Sequence, residues 1–195
     1  MDTAQQTTLL TADEFLAKDQ REFGDGWRYE LVDGRILAHA APTPTHGAIV
    51  AGLSAALGTR LRGHAEGCRP EAGSAAAPVS QPRSTARIPD VMVRCGELPR
   101  VAFEVVSASE LKAWRERDRK RVDLQEVEGV REIVELYQDE MAAHVYRKAA
   151  DGTWSFEAVG GSDAVLKLAG LGLELPLAEI YEFALVGERR LGAEG

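Results

Sequence analysis

Residues 88–106 read Ile88-Pro89-Asp90-Val91-Met92-Val93-Arg94-Cys95-Gly96-Glu97-Leu98-Pro99-Arg100-Val101-Ala102-Phe103-Glu104-Val105-Val106, two apolar runs around a short polar turn. Both runs have strand length and strand composition, which predicts strands over 90–95 and 100–107. The second is apolar almost without alternation, as expected of a strand covered on both faces. Glu104 stands inside it. Burying an ionised carboxylate there costs on the order of several kcal/mol unless it is paired or metal-bound. Asp90 sits at the mouth of the first run. If the two strands are neighbours, Asp90 and Glu104 meet, and two carboxylates that meet need a proton or a cation between them. Mg²⁺ suits such a pair, because it takes one or two carboxylates and keeps several waters. A buried salt bridge to Arg87, Arg94 or Arg100 satisfies the same residues, and the two readings stand side by side.

Upstream, Thr11-x-x-Glu14 is a capping box before a short helix, ADEFLAKD. RYELV (28–32) and RILAHA (35–40) flank Asp33-Gly34, a favoured hairpin turn. Pro44-Thr45-His46 opens a helix to about Arg62, with Ile49, Val50, Leu53, Leu57 and Leu61 on one stripe. Residues 63–89 carry Pro70, Pro78, Pro82 and Pro89, which suits irregular or edge strands. Downstream, a charged helix is expected over about 108–127. A hairpin follows over 131–137 and 142–148, then short strands in TWSFEAV and VLKLAG. A closing helix is expected over 176–185, with Leu177, Ile180, Tyr181 and Ala184 facing inward. The order predicts an α/β (α+β) fold, a mixed central sheet flanked by helices with extra β-hairpins.

Composition narrows the function classes. The chain has 195 residues, 45% hydrophobic and 28% charged, enough for a core without staples. No apolar run reaches the ~18–20 residues of a membrane span, so no membrane role is expected. Cys68 and Cys95 match no metal-binding spacing; with no export signal at the N-terminus they read as reduced thiols of a cytoplasmic protein. The net charge of −8 argues against tight, unassisted nucleic-acid binding. Against that background, Lys112–Arg121 (KAWRERDRKR) holds six basic and two acidic residues, a local +4. Such a run is either a solvated helix face or an anion-facing surface.

Two further residues are ambiguous. Glu30 sits in Tyr29-Glu30-Leu31-Val32, and a hairpin with one wet face would turn it to solvent. His46, at a helix start, is either structural or placed to hydrogen-bond a phosphate at the helix N-terminus.

These pieces together resemble a known family. Ile88-Pro89-Asp90, fourteen residues before Glu104-Val105-Val106, looks like the PD-(D/E)xK nuclease signature. With TADEFL, YELVDGRI, PTPTH, IPDVMV, FEVVSAS, DRKR, YQDEMAAHVYRKAADGTW and LGLELPLAEIYE, the order resembles the Uma-two-type endonucleases, a branch of that superfamily, over about residues 10–185. The resemblance implies a restriction-endonuclease-like core, phosphodiester hydrolysis with Mg²⁺ or Mn²⁺, a homodimer, and a nucleic-acid substrate, DNA before RNA. It implies a loose arm over 1–10, one nuclease-like domain over 11–186 and a tail over 187–195. Carried onto this chain, Asp90, Glu104 and the main-chain carbonyl of Val105 become metal ligands, and Lys120, Glu30 and His46 catalytic residues.

Three departures stand out. The position two after Glu104 is Val106, not lysine, and the lysine falls on Lys120 of the following helix. A tyrosine of the pattern is Leu124, with the preceding acid displaced to Glu116 or Asp118. The serine pair is Ser107-Ala108-Ser109. On that helix Ala113, Arg117, Lys120, Leu124 and Val127 share one face, and Leu111, Trp114, Asp118 and Val122 the other. Only the first face, packed on the sheet, brings Lys120 to the acids. The rival reading is a catalytically inactive nuclease-fold dimer that serves as a binding or scaffold protein, since fold does not imply function.

Overall fold

The computed structural model describes residues 9–24, 28–78, 83–107, 113–184 and 186. The expected arm (residues 1–8 of it) and the tail over 187–195 lie outside the described residues, as do 108–112 at the expected start of the charged helix. In chain order the elements are α1 (Ala12–Leu16), β1 (Arg28–Val32), β2 (Arg35–His39), α2 (Pro44–Arg60), β3 (Cys68–Ala72), β4 (Val91–Cys95), β5 (Leu98–Val106), α3 (Trp114–Gln125), β6 (Glu132–Tyr137), β7 (Ala142–Lys148), β8 (Trp154–Gly160), β9 (Val165–Leu168), β10 (Leu173–Pro176) and α4 (Leu177–Ile180).

The two apolar runs form the middle of a six-stranded sheet, ordered β3-β4-β5-β6-β7-β8. β4 and β5 are antiparallel, with Val91 opposite Phe103. β5 and β6 are parallel, with Glu104 beside Glu135. A parallel neighbour needs a crossover, and α3 lies within it. The odd residues of β5 (Val101, Phe103, Val105) face a core shared with α2, α4 and the β9–β10 hairpin. Ala102 faces the other way, into a smaller cluster with Met92, Ile133, Leu124 and Val127 under α3. Glu104 continues that even-numbered side by strand alternation.

The β1–β2 hairpin turns at Asp33 and Gly34, both at positive φ (48° and 75°), as a tight two-residue turn requires. Its outer edge is bridged by Leu31 and Ala86, which bond each other's backbones at 2.9 and 3.0 Å. α2 is capped by the Thr43 hydroxyl, which accepts from the His46 N–H.

Two expectations need correction. Cys68 and Cys95 are not free thiols: they are register partners on β3 and β4 and are joined in a disulfide. The thiol argument for a cytoplasmic location goes with them. The closing helix is also shorter than 176–185. Its helical part is Leu177–Ile180, after which the Tyr181 hydroxyl donates to the carbonyls of Tyr137 (2.8 Å) and Ala142 (3.1 Å). This anchorage to the sheet overrides helix continuation. The inward stripe is nonetheless buried, from Leu177 and Ile180 to Tyr181 and Ala184. Among the described residues no helix is long and apolar enough to cross a membrane.

Candidate active site

The site lies at the carboxyl end of β5. The β4–β5 ladder ends at Val91 opposite Phe103, and Asp90 follows just beyond it, near enough for its charge to be felt at Glu104. Asp90 is buried, and its carboxylate is fully engaged. Oδ2 accepts from the Val105 N–H at 2.8 Å. Oδ1 lies 2.8 Å from Arg28 Nη1 and 3.2 Å from His46 Nε2. The other ring nitrogen of His46 lies 3.5 Å from the Gln138 amide nitrogen, and the Gln138 oxygen accepts from the Thr43 hydroxyl. That chain assigns His46 the tautomer with its proton on Nε2, donating to Asp90.

α3 packs with its Lys120 face on the sheet. Leu124 is fully buried and Val127 nearly so, while Trp114 is 55% exposed on the opposite face. The Lys120 ammonium therefore turns inward. It lies 2.9 Å from Glu104, 2.9 Å from Glu30 and 3.2 Å from the Ile88 carbonyl. It is close to both Glu104 oxygens, but only Oε2 accepts a well-directed hydrogen bond; Oε1 is buried without one.

Glu30 does not face solvent. The Leu31–Ala86 bridge covers the hairpin and leaves Glu30 fully buried. It accepts from the Ile88 N–H at 2.9 Å and pairs with Arg87 at 3.0 Å and Lys120 at 2.9 Å, with His39 Nε2 3.3 Å away. Arg87 is equally buried and is also paired with Asp123 and Glu116. Neither Arg94 nor Arg100 takes part: they pair with Glu71 and Glu66.

The three carboxylates are tuned apart. Burial alone would raise Glu30, but Lys120, His39 and the Ile88 N–H overturn that and hold it far below the usual carboxylate range. Asp90 is likewise held low, because His46, Arg28 and Lys120 outweigh its burial. Glu104 is pushed up to about 8: burial dominates, Lys120 opposes it, and Asp90 and Glu30 add repulsion. Lys120 is raised, since the surrounding carboxylates outweigh its burial. Carboxylates driven to opposite ends of the scale within one cleft are the pattern expected where acid–base or cation chemistry is done.

The structure thus brings Asp90, Glu104, Lys120, Glu30, His46 and Val105 together. It adds Arg28, His39 and Gln138, which sequence reasoning did not place in the site, and it pairs Arg87, a salt-bridge candidate for Asp90 or Glu104, with Glu30 instead. As a metal centre the donor set fits: the side chains offer hard carboxylate oxygens, and Glu104 Oε1 is a buried acceptor that lacks a directed donor.

Comparisons with known proteins bear on this geometry. Curated proteins give no match. Among solved structures, the fold is similar to the crystal structure of a putative nuclease belonging to DUF820 from Anabaena variabilis ATCC 29413. The TM-score is 0.66 at 18% identity, covering 89% of this chain and 98% of that one. At that identity the likeness speaks for the fold. The profile of the Uma2 family, described as "Putative restriction endonuclease", matches residues 12–178, and with most of its length and every element of the site inside that span, the chain belongs to the Uma2 family.

Proposed function

We propose that the protein is a Mg²⁺- or Mn²⁺-dependent endonuclease that hydrolyses phosphodiester bonds of nucleic acid, DNA before RNA, as a homodimer. The observation that carries this reading is the convergence of Glu30 and Glu104 on the half-buried Lys120 ammonium at the end of β5, with the Asp90 carboxylate near enough to act on its charge. Membership of a family described as restriction endonucleases supports the reaction class.

Asp90, Glu104 and the Val105 carbonyl would hold the cation. When bound, a divalent metal supplies Lewis acidity at a phosphate oxygen and acidifies water at neutral pH. Lys120 would face the charge that develops on the phosphorus oxygens, where a positioned cation stabilises the transition state more than the ground state. Glu30, held ionised, fixes the Lys120 ammonium in place. His46, with its proton on Nε2, steadies Asp90 and lies beside the cleft where the phosphate would enter.

The rival, an inactive scaffold of the same fold, is favoured by one observation: both Asp90 oxygens already have protein donors. The deciding experiment is a cleavage screen over single- and double-stranded DNA and RNA with Mg²⁺ and Mn²⁺, beside Asp90→Ala. A nuclease cleaves at least one substrate in a metal-dependent way that Asp90→Ala abolishes, and Mn²⁺ raises the melting temperature of the parent but not of the variant. A parent that cleaves nothing and gains no stability from Mn²⁺ is the scaffold.

A further inference from the structure

Arg28 opens β1, and its guanidinium reaches the centre of the site. Nη1 lies 2.8 Å from Asp90 Oδ1. Its charge is felt by Asp90 first, then by Glu104 and Glu30. It lines three cavities, two of which also hold Asp90 and the third Glu104. One of about 270 Å³ holds Asp90 and His46, one of about 250 Å³ holds Glu104 and Lys120, and one of about 480 Å³ opens past Asp90 towards Gly73. Its Nε is buried and has no hydrogen-bond partner among the described residues. An unsatisfied buried donor carries a desolvation cost that an oxygen ligand would remove.

We propose that Arg28 is an internal counter-cation of the metal site: it holds Asp90 while no metal is bound, and turns to the substrate phosphate when a divalent cation takes Asp90. The inference rests on the metal-nuclease reading above. Asp90 Oδ1 serves two donors, Arg28 and His46, so a cation bound there displaces one. His46 is anchored through Gln138 and Thr43. Arg28 ends a long side chain that is 23% exposed, and its Nε has nothing to lose. Arg28 therefore leaves. A guanidinium released where it lines these cavities presents the planar fork that matches two phosphate oxygens. The protein would thus bind metal more weakly alone than with substrate, and metal and substrate would bind cooperatively.

The test is Mn²⁺ binding by titration calorimetry on the full chain, for the parent, Arg28→Ala, Arg28→Gln, Arg28→Lys and Asp90→Ala, with turnover on the best substrate alongside. Removing a competing cation should tighten Mn²⁺ binding roughly tenfold or more in Arg28→Ala and Arg28→Gln, on the scale by which one nearby charge shifts a carboxylate. Arg28→Lys should bind Mn²⁺ near the parent level. At saturating Mn²⁺ the two neutral variants should cleave on the order of a hundredfold more slowly, as when one preorganised donor is lost. Tighter metal with slower cleavage is a pairing that a merely structural Arg28 does not give. If Arg28→Ala does not fold, Arg28→Gln decides. Asp90-dependent Mn²⁺ binding that the neutral variants leave unchanged or weaken overturns the role of Arg28 alone. Mn²⁺ bound equally by the parent and Asp90→Ala, or by none of the proteins, overturns the metal site and this role together.

Discussion

The Lys120 ammonium stands 2.9 Å from the Glu104 carboxylate although the two are sixteen residues apart, one on α3 and one on β5. The position where a strand lysine would be expected is Val106, which is buried in β5. α3 supplies the charge from above the sheet, because its Leu124 face docks there, with Val127 just past its end in the same cluster. Lys120→Ala should cut turnover by roughly two to three orders of magnitude, the scale for loss of one preorganised stabilising group. Mn²⁺ affinity should not fall, since ammonium is no ligand. Arg119, paired at the surface with Asp33, is the control, and Arg119→Ala should leave turnover near the parent level. Single-turnover rates for the two variants, beside their melting curves, check this.

Glu104 makes the metal-free protein pH-sensitive in a definite direction. Its carboxyl is raised from an ordinary 4.5 to about 8. Between those values the folded protein keeps a proton that the unfolded chain has released, so this contribution to stability falls as pH rises. It is fully present below 4.5 and lost as pH passes through about 8. Asp90 and Glu30 act in the opposite sense, but only where pH drops below the ordinary carboxylate range. In chelator, the melting temperature of the parent relative to Glu104→Gln should therefore decline from pH 5 to pH 8. A difference that stays flat across that range contradicts the raised value. Mn²⁺ competes with the same proton and should bind more tightly as pH rises over this window.

The Cys68–Cys95 disulfide joins positions 27 apart in sequence and closes a loop that contains β3 and β4. A cross-link over such a loop typically stabilises by ~2–4 kcal/mol, mainly by restricting the unfolded chain. Reduction, or Cys95→Ser, should lower the melting temperature by several degrees and leave Mn²⁺ binding unchanged, because Cys95 is at the opposite end of β4 from Asp90. Thiol counting by mass spectrometry under non-reducing conditions checks the bond itself, and two free thiols would remove it.

The parts of the site that were legible in the sequence are those where a residue conflicts with its surroundings. Asp90 and Glu104 stood out as carboxylates in apolar strands, and the structure answers that conflict with Arg28, His46 and Lys120. Lys120 was legible only as one of two helix faces. Periodicity defines a face, and packing of Leu124 on the sheet selects it. Glu30 stayed open on its own residues because a hairpin alone has a wet face, and only the resemblance put it at the site; the bridge at Ala86, more than fifty residues away, covers it. Arg28 gave no signal, since an arginine is unremarkable until its partner is known and Asp90 lies 62 residues off; Arg87 was legible as an ion-pair candidate, but its partner Glu30, 57 residues away, was not. The disulfide was hidden for the same reason: β3 forms in a Gly- and Pro-rich stretch, and its register on β4 is a tertiary fact. Local elements such as the Asp33-Gly34 hairpin and the capped start of α2 were readable because their cause is local.

α2 presents His46 to Asp90, and its seating depends on one close approach. Gly52 packs against α4, and a Cβ there would lie 2.3 Å from the Ile180 carbonyl oxygen. That oxygen belongs to backbone that the neighbouring Tyr181 ties to the sheet, so it cannot yield as a side chain would. Gly52→Ala should cost ~1–3 kcal/mol through overpacking, or roughly 2–12 °C in melting temperature for a domain of this size. Because the displaced helix carries His46 six residues away, the same substitution should loosen Asp90 and weaken Mn²⁺ binding severalfold. Gly58 lies on the same helix with nothing within 4 Å of its would-be Cβ. Gly58→Ala should act in the opposite direction and stabilise by ~0.5–1 kcal/mol, because alanine restricts the unfolded chain and favours the helix. Melting curves of the two variants under identical conditions give the comparison. Equal shifts of the same sign would mean that α2 does not rest on α4 at Gly52, and that His46 is positioned by its N-terminal cap and Gln138 alone.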